Sequence, residues 1–457
     1  MRYEEFLKSK EFKNDYKGFE PDELNENLMD YQKEIVRWAL RKGRCALFED
    51  TGLGKTIQQL AYADAIVKHT NGKVIILAPL AVSKQTAKEA DKFGILCQLA
   101  ESDRDIDGPG IYITNYEKIH KFDTEQFVGV VLDESSILKS YSGMTTKELQ
   151  DRFRRTPYRL CCTATPSPND YTELGTTCEF LGVMPRTEML STFFINDMMG
   201  KNRIGWRLKK HAEKDFFRWM ATWSIMIDNP SNLGFDGDKF ILPELKIHHH
   251  ILKSDVDDGY LFPKIADTLN ERRHARKKSA EDRVRMSRNI AVQYEQCLVW
   301  CDYNYESEML HSAIEDSVEV KGSDDPGHKT DAMIGFSTGQ VKYLVSKPSI
   351  CGFGMNWQNC HAMIFCGISD SFEKFYQAVR RCWRFGQTHD VDVHIILSES
   401  EMSVLENIQR KEKEHQRMKK EMIEIMSSAS IEQLNGRYER HSEYEPKLEM
   451  QLPSFGR

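Results

Sequence analysis

Residues 49–56 read Glu-Asp-Thr-Gly-Leu-Gly-Lys-Thr, directly after the apolar run 45–48 and directly before Ile57-Gln58-Gln59-Leu60. A strand, a glycine-containing turn and a helix start, in that order, can hold phosphate. The turn's N–H groups converge on the anion, and the helix adds its positive end. In the pattern G-x-x-x-x-G-K-[ST], Lys55 reaches the β- and γ-phosphates and Thr56 holds Mg²⁺, with Gly52 and Gly54 in the turn. Glu49 stands where that pattern has glycine, so the run alone also fits a Gly/Thr turn that caps a helix. A second group of interest is Asp133-Glu134, which ends the apolar run 130–132. At the carboxyl end of a parallel strand beside such a loop, Asp133 can hold Mg²⁺ through water and Glu134 can polarise an attacking water. Acidic pairs after strands are common, so this one too needs its context.

The context is two sets of short apolar runs separated by amphipathic stretches. The first set lies at 45–48, 74–78, 111–114, 128–132 and 158–162; the second at 298–301, 318–320, 342–346, 363–366 and 391–397. Continuous apolar strands between helices predict parallel sheets covered on both faces, hence two α/β lobes. The 457 residues suit two or three domains. We expect a first lobe over 1–185, an aromatic and basic connector over 186–290, a second lobe over 291–400 and a charged helical tail over 401–457. In the connector, Phe216, Trp219 and Trp223 share one helical stripe and read as core, as does Trp206. Arg272 to Arg288 form a basic segment that fits either a phosphate contact or a solvated helix with Glu271, Glu281 and Asp282 as partners. His248-His249-His250 reads as a polar strand end, because alternating faces would split a metal set.

Composition narrows the class. A net charge of −7 argues against an overall cationic coat, although local clusters can still bind a polyanion. The 11 cysteines lack paired zinc spacing and read as buried thiols of a reducing compartment. The start of the chain is charged, and no run approaches 18 apolar residues, so a cytoplasmic protein without membrane contact is expected.

The order of the phosphate loop, the strand ending in Asp133-Glu134, and then Thr163-Ala164-Thr165-Pro166 after a further strand resembles superfamily-two helicases. Gln377-Ala378-Val379-Arg380-Arg381-Cys382-Trp383-Arg384-Phe385-Gly386-Gln387 resembles their sixth motif in the Q-x-x-x-R-x-x-R-x-G-Q form of Swi/Snf-like translocases. Placed three apart on one helix face, Arg381 and Arg384 would both point at a γ-phosphate, as arginine fingers supplied by a second lobe. The resemblance covers residues 28–397. It implies two tandem RecA-like lobes with ATP and Mg²⁺ in the cleft between them, and a helical tail. It implies adenine reading by Gln32, a nucleotide contact by Gln377, and coupling through Ser136, Thr163 and Thr165. It implies nucleic-acid contacts at Pro79, Thr114, Asn115, Ser346, Gly352 and Gly354. The chain is similar to stand-alone phage and prophage ATPases, and its stretch 211–250 also looks like theirs; such proteins would act in a bacterial cytoplasm.

Two positions depart from the family pattern. Asp-Glu-Ser-Ser replaces the more usual Asp-Glu-x-His, and Ala164 stands where many relatives have glycine. Neither removes a catalytic group. The resemblance therefore implies a DNA-stimulated ATPase that moves along duplex DNA. The alternatives are an RNA helicase, a nucleotide-binding scaffold without turnover, or the motor of a restriction-modification assembly. A nuclease, methylase or replication partner would then sit on another chain.

Overall fold

The computed structural model describes residues 16–167, 170–196, 205–253, 274, 276–351 and 356–434. Strands β1 (Arg44–Glu49), β2 (Lys73–Ala78), β3 (Cys97–Leu99), β4 (Gly110–Asn115), β5 (Phe127–Asp133) and β6 (Tyr158–Cys162) build the first sheet. Next, β7 (Phe194–Asn196) and β8 (Trp206–Leu208) pair as a small antiparallel ribbon, and β9 (Ser224–Ile227) returns to the edge of the first sheet. The strand order is β3-β4-β2-β5-β6-β1-β9, with every pairing parallel. Such a sheet needs cover on both sides. Cys45 and Leu47 of β1 face a core with Trp38, Leu60 and Ile66, from helices α1 (Asp30–Lys42) and α2 (Lys55–Thr70). The helix α3 (Leu80–Lys92) joins that side through Ala90. Ala46 and Phe48 face the opposite core, filled from α4 (Met144–Arg152), α5 (Leu174–Leu181), α6 (Arg186–Phe193) and α7 (Glu213–Ala221).

The second sheet holds β10 (Leu245–Leu252), β11 (Cys297–Trp300), β12 (Ser317–Val320), β13 (Tyr343–Ser346), β14 (Ala362–Phe365) and β15 (Val391–Ser398). Its order is β10-β15-β14-β11-β13-β12, again all parallel. Helices α8 (Ala280–Ala291) and α9 (Asn304–Ala313) cover one face through Val284, Ile290 and Leu310. The other face carries α10 (Pro326–Ser337), α11 (Pro348–Cys351) and α12 (Phe372–Val379), with Phe336, Phe372 and Phe375 in the core. A last helix, α13 (Met402–Leu434), follows β15. Two parallel-sheet α/β lobes with a helical C-terminal region are the architecture that the apolar runs predict. Among the described residues, no helix is long and apolar enough to cross a membrane.

Three segments behave differently from their sequence reading. The stretch 186–290 is shared between the lobes, since β9 extends the first sheet and β10 extends the second. Phe216, Trp219 and Trp223 are buried in the first core, as their stripe suggests. In the basic segment, Arg276 and Arg283 are neither groove residues nor solvated. Both are buried against Glu306, Arg276 at 2.8 Å and Arg283 at 2.9 Å, and Arg276 also pairs with Asp302 at 2.9 Å. A fully buried carboxylate needs such partners, and here it takes them from the preceding helical segment. Residues 272 and 273 lie outside the described set. Finally, α13 is more than a charged helical tail. Val404, Leu405 and Ile408 enter the core of the second lobe, and Met422, Ile423 and Met426 enter that of the first. A 33-residue helix is about 50 Å long, which is enough to bridge the two.

Candidate active site

β5, β6 and β1 are neighbours, so their carboxyl ends bring Asp133, Thr163 and Glu49 to one edge of the first sheet. Ligands of open parallel sheets bind at such an edge. The turn after β1 depends on glycine at two points. Gly52 has φ +96° and Gly54 φ +78°, the left-handed region that other residues rarely adopt. A side chain at Gly54 would also meet Gln32 Nε2 at 2.3 Å, and one at Gly52 would meet Phe385 Cβ at 2.9 Å. The loop is thus closed from below by α1 and from above by the second lobe. Lys55 Nζ donates to the carbonyls of Glu49 (2.8 Å) and Asp50 (3.0 Å). Gln32 is a strut beneath the loop. Its Oε1 accepts from the Met29 N–H at 2.9 Å and its Nε2 donates to the Leu53 carbonyl at 3.0 Å. Reading adenine would require Gln32 to exchange those bonds.

The acidic pair is held rigidly. Asp133 Oδ1 accepts from Gln59 Nε2 at 2.8 Å and from the Glu134 N–H at 3.1 Å. Gln59 lies three residues beyond Thr56 on α2, so Thr56 and Asp133 face the same space. Glu134 adopts φ +53° and ψ +52°, a strained conformation for a non-glycine residue. Burial and the neighbouring Asp133 charge push its carboxyl up to about 7, against the pull of Lys55 and Arg381. Burial also raises Asp133, with Gln59 and Lys55 opposing. Glu49, wholly buried, is pushed up to about 7 by burial despite Lys55 and the 2.8 Å bond from Gln58.

The second lobe supplies the cations. α12 ends at Val379, so Arg381 and Arg384 lie in the turns beyond it rather than on one helical face. Backbone bonds fix those turns: Arg381 N–H to Ala378, Gln387 N–H to Arg384, and Trp357 N–H to the Arg381 carbonyl at 2.9 Å. Gln387 Nε2 pins them further through the carbonyls of Cys360 and Cys382. Gln377 is buried, and its carbonyl accepts from Arg381 Nε at 3.2 Å. Arg381 is buried, and its guanidinium is disfavoured by burial, with Glu134 across the seam as its main compensation. Arg384 donates to Asn356 Oδ1, and burial followed by the charges of Arg381 and Arg380 lowers its pKa to about 9. Two crowded arginines whose charge burial disfavours suit an anion between the lobes.

The residues present also fit a nucleotide with its metal. Glu49 Oε1, Gln59 Oε1, Ser135 Oγ and Thr165 Oγ1 are buried around the ends of these strands and have no protein partner.

The SNF2-related domain matches residues 31–218, and the helicase conserved C-terminal domain matches residues 283–386. The chain thus carries an SNF2-related domain followed by a helicase C-terminal domain, the pairing of Swi/Snf-like ATPases of helicase superfamily two. Over 166 residues it is 27% identical to the DNA annealing helicase and endonuclease ZRANB3 of Mus musculus, a match covering 33% of this chain and 15% of that protein. It is 26% identical over 208 residues to the SWI/SNF chromatin-remodeling complex subunit snf22 of Schizosaccharomyces pombe, covering 39% and 12%. The chain thus spans less than a quarter of the length of either relative. Among solved structures it is similar to the Sulfolobus solfataricus SWI2/SNF2 ATPase core in complex with dsDNA. That match has 17% identity and a TM-score of 0.42, and covers 91% of this chain and 96% of the other.

The remaining residues expected from the Swi/Snf-like pattern are spread unevenly. Ser136, Thr163 and Thr165 are buried beside the acidic pair, and the Thr165 N–H donates to Thr163 Oγ1 at 3.1 Å. Pro79 opens α3. Thr114, Asn115 and Ser346 are buried. Asn115 caps the turn at Lys118, and Ser346 Oγ donates to the Val320 carbonyl at 2.8 Å. Asn115 and Ser346 hold strand ends in place, the buried Thr114 Oγ1 has no hydrogen-bond partner, and none of the three presents itself to a nucleic acid in this conformation. Gly352 and Gly354 lie outside the described residues. Asp50, Arg380 and Tyr376, to which the motifs assign no role, join the phosphate loop to the second lobe.

Proposed function

We propose that this chain is a DNA-stimulated ATP hydrolase that moves along duplex DNA, with ATP and Mg²⁺ held in the seam between the lobes. The observation that carries the reading is Arg381. It comes from the second lobe, is buried, and lies close enough to Glu134 for each to shift the other's proton equilibrium. An arginine in that place neutralises charge in a loose phosphoryl transition state. Thr56 and Asp133 would hold Mg²⁺, which when bound neutralises the β- and γ-phosphoryl oxygens. Lys55 would exchange its two loop carbonyls for phosphate oxygens. Glu134, once ionised, orients the attacking water and accepts its proton. Arg384 adds a second positive charge.

The seam is what links this chemistry to motion. Hydrolysis removes the anion that Arg381 and Arg384 require, so the lobes reopen and can advance along a phosphate backbone. The Arg-x-Gly-Gln ending of the sixth motif favours DNA over RNA. The chain's likeness to stand-alone phage ATPases supports action in a bacterial cytoplasm, with a nuclease, methylase or replication protein as a candidate partner. The test is phosphate release by the wild type, Lys55→Ala and Arg381→Ala. Both variants should stay folded and lose turnover. A folded Lys55→Ala protein with near-normal turnover would contradict the reading.

A further inference from the structure

Outside the expected catalytic set, one buried charge network joins three distant parts of the chain. Asp50, in the phosphate loop, bonds the Thr51 N–H through Oδ1 at 2.7 Å. The same oxygen accepts from Tyr376 Oη at 2.8 Å and pairs with an Arg380 terminal nitrogen at 2.9 Å, both from the second lobe. Its Oδ2 pairs with Lys419 Nζ of α13 at 2.6 Å. Lys419 also lies 3.4 Å from Asp228, just beyond β9. Arg380 adds bonds to Thr51, to its carbonyl at 2.9 Å and to its hydroxyl. The set balances two carboxylates with two cations, and Asp50 and Arg380 are both buried. Facing Arg380 and Lys419, the Asp50 carboxyl stays far below the usual carboxylate range, so Asp50 keeps its charge at any working pH.

Arg380 immediately precedes Arg381. Whatever fixes the Arg380 guanidinium on the phosphate loop also fixes the turn that carries Arg381. We propose that Asp50 and Lys419 form a charge latch that positions Arg381, so that α13 is a working part of the ATPase rather than a passive strap. Lys419 and Asp50 are positioning residues: they act through Arg380 and touch none of the reacting atoms. The proposal rests on the ATPase reading above and adds to it a route by which anything that displaces α13 would switch off turnover.

The test is steady-state phosphate release with saturating duplex DNA, using a radiolabelled assay. It compares the wild type, Lys419→Met, Lys419→Arg, Tyr376→Phe, Arg381→Ala and the Lys419→Met/Arg381→Ala double variant. Lys419→Met keeps the aliphatic stem and removes the charge. Its kcat should fall about tenfold, the scale of one charge-assisted hydrogen bond, with KM for ATP within about twofold. Lys419→Arg should restore the rate. Added to Arg381→Ala, Lys419→Met should cost nothing further, because residues acting as a unit are not additive. Should Lys419→Met fail to fold, Tyr376→Phe, which removes only a hydroxyl, should show the same loss in milder form and the same silence in the Arg381→Ala background. An unchanged kcat, or an undiminished loss in that background, overturns the latch. Wild-type turnover by Arg381→Ala alone would instead sink the ATPase reading, and the latch with it.

Discussion

Glu49 occupies the place where a phosphate loop ordinarily has glycine, and its replacement by glutamine is a quantitative test of the site's electrostatics. The carboxyl is wholly buried, accepts one bond from Gln58 Nε2, and leaves its Oε1 without a partner. Gln58 Oε1 is likewise unpaired, so a glutamine amide at 49 could donate to it. Burial raises the folded carboxyl from 4.5 to about 7. A raised carboxylate pKa means that the folded state disfavours the charge. The penalty is absent below about pH 4.5, grows as pH rises, and is complete above pH 7. At 1.36 kcal/mol per unit, the full penalty is about 3 kcal/mol. Glu49→Gln should therefore be more stable than the wild type by about that amount at pH 8, and nearly equal at pH 4.5. Denaturant unfolding of both proteins at several pH values reads this directly. A stability difference that does not change with pH, or a less stable variant at pH 8, would refute the reasoning.

Further outcomes follow from the same geometry. Gly52→Ala should lose most turnover, because its side chain would strain a φ of +96° and push Phe385 away; phosphate release measures it, and a fully active variant would mean the seam is looser than described. Glu134→Gln should bind ATP and stall before hydrolysis, seen as retained nucleotide binding without phosphate release. With Glu134 raised to about 7, kcat/KM for ATP should fall about tenfold per pH unit below 7, since only the carboxylate can accept a proton; a profile flat from pH 8 to 5.5 would exclude Glu134 as base. Arg381→Ala should lose DNA-stimulated turnover by roughly 10³-fold while retaining DNA binding, measured by phosphate release and gel shift.

How much of this was readable beforehand depends on how far apart the partners lie. The phosphate loop, Asp133-Glu134 and the sixth motif are contiguous patterns whose chemistry depends on local spacing. The parallel lobes follow equally from local apolar runs. Asp50 and Lys419 are 369 residues apart, and nothing near either announces the other. Arg276 and Arg283 look like surface cations until Glu306 is placed between them. The left-handed turn at Glu134 is invisible in residue type. α13 did leave a signal: Val404, Leu405 and Ile408, then Met422, Ile423 and Met426, are two apolar stripes separated by a polar stretch. Read together they predict one helix docking on two bodies. The dense charge between them makes the segment read as a charged helical tail instead.

The most direct measurement of the central claim is ATP hydrolysis without nucleic acid and with duplex DNA, single-stranded DNA or RNA, across a salt series. Duplex DNA should stimulate turnover most, and the stimulation should fall steeply with salt, because the contacts are to phosphates. Stimulation by RNA with none by duplex DNA would contradict the account.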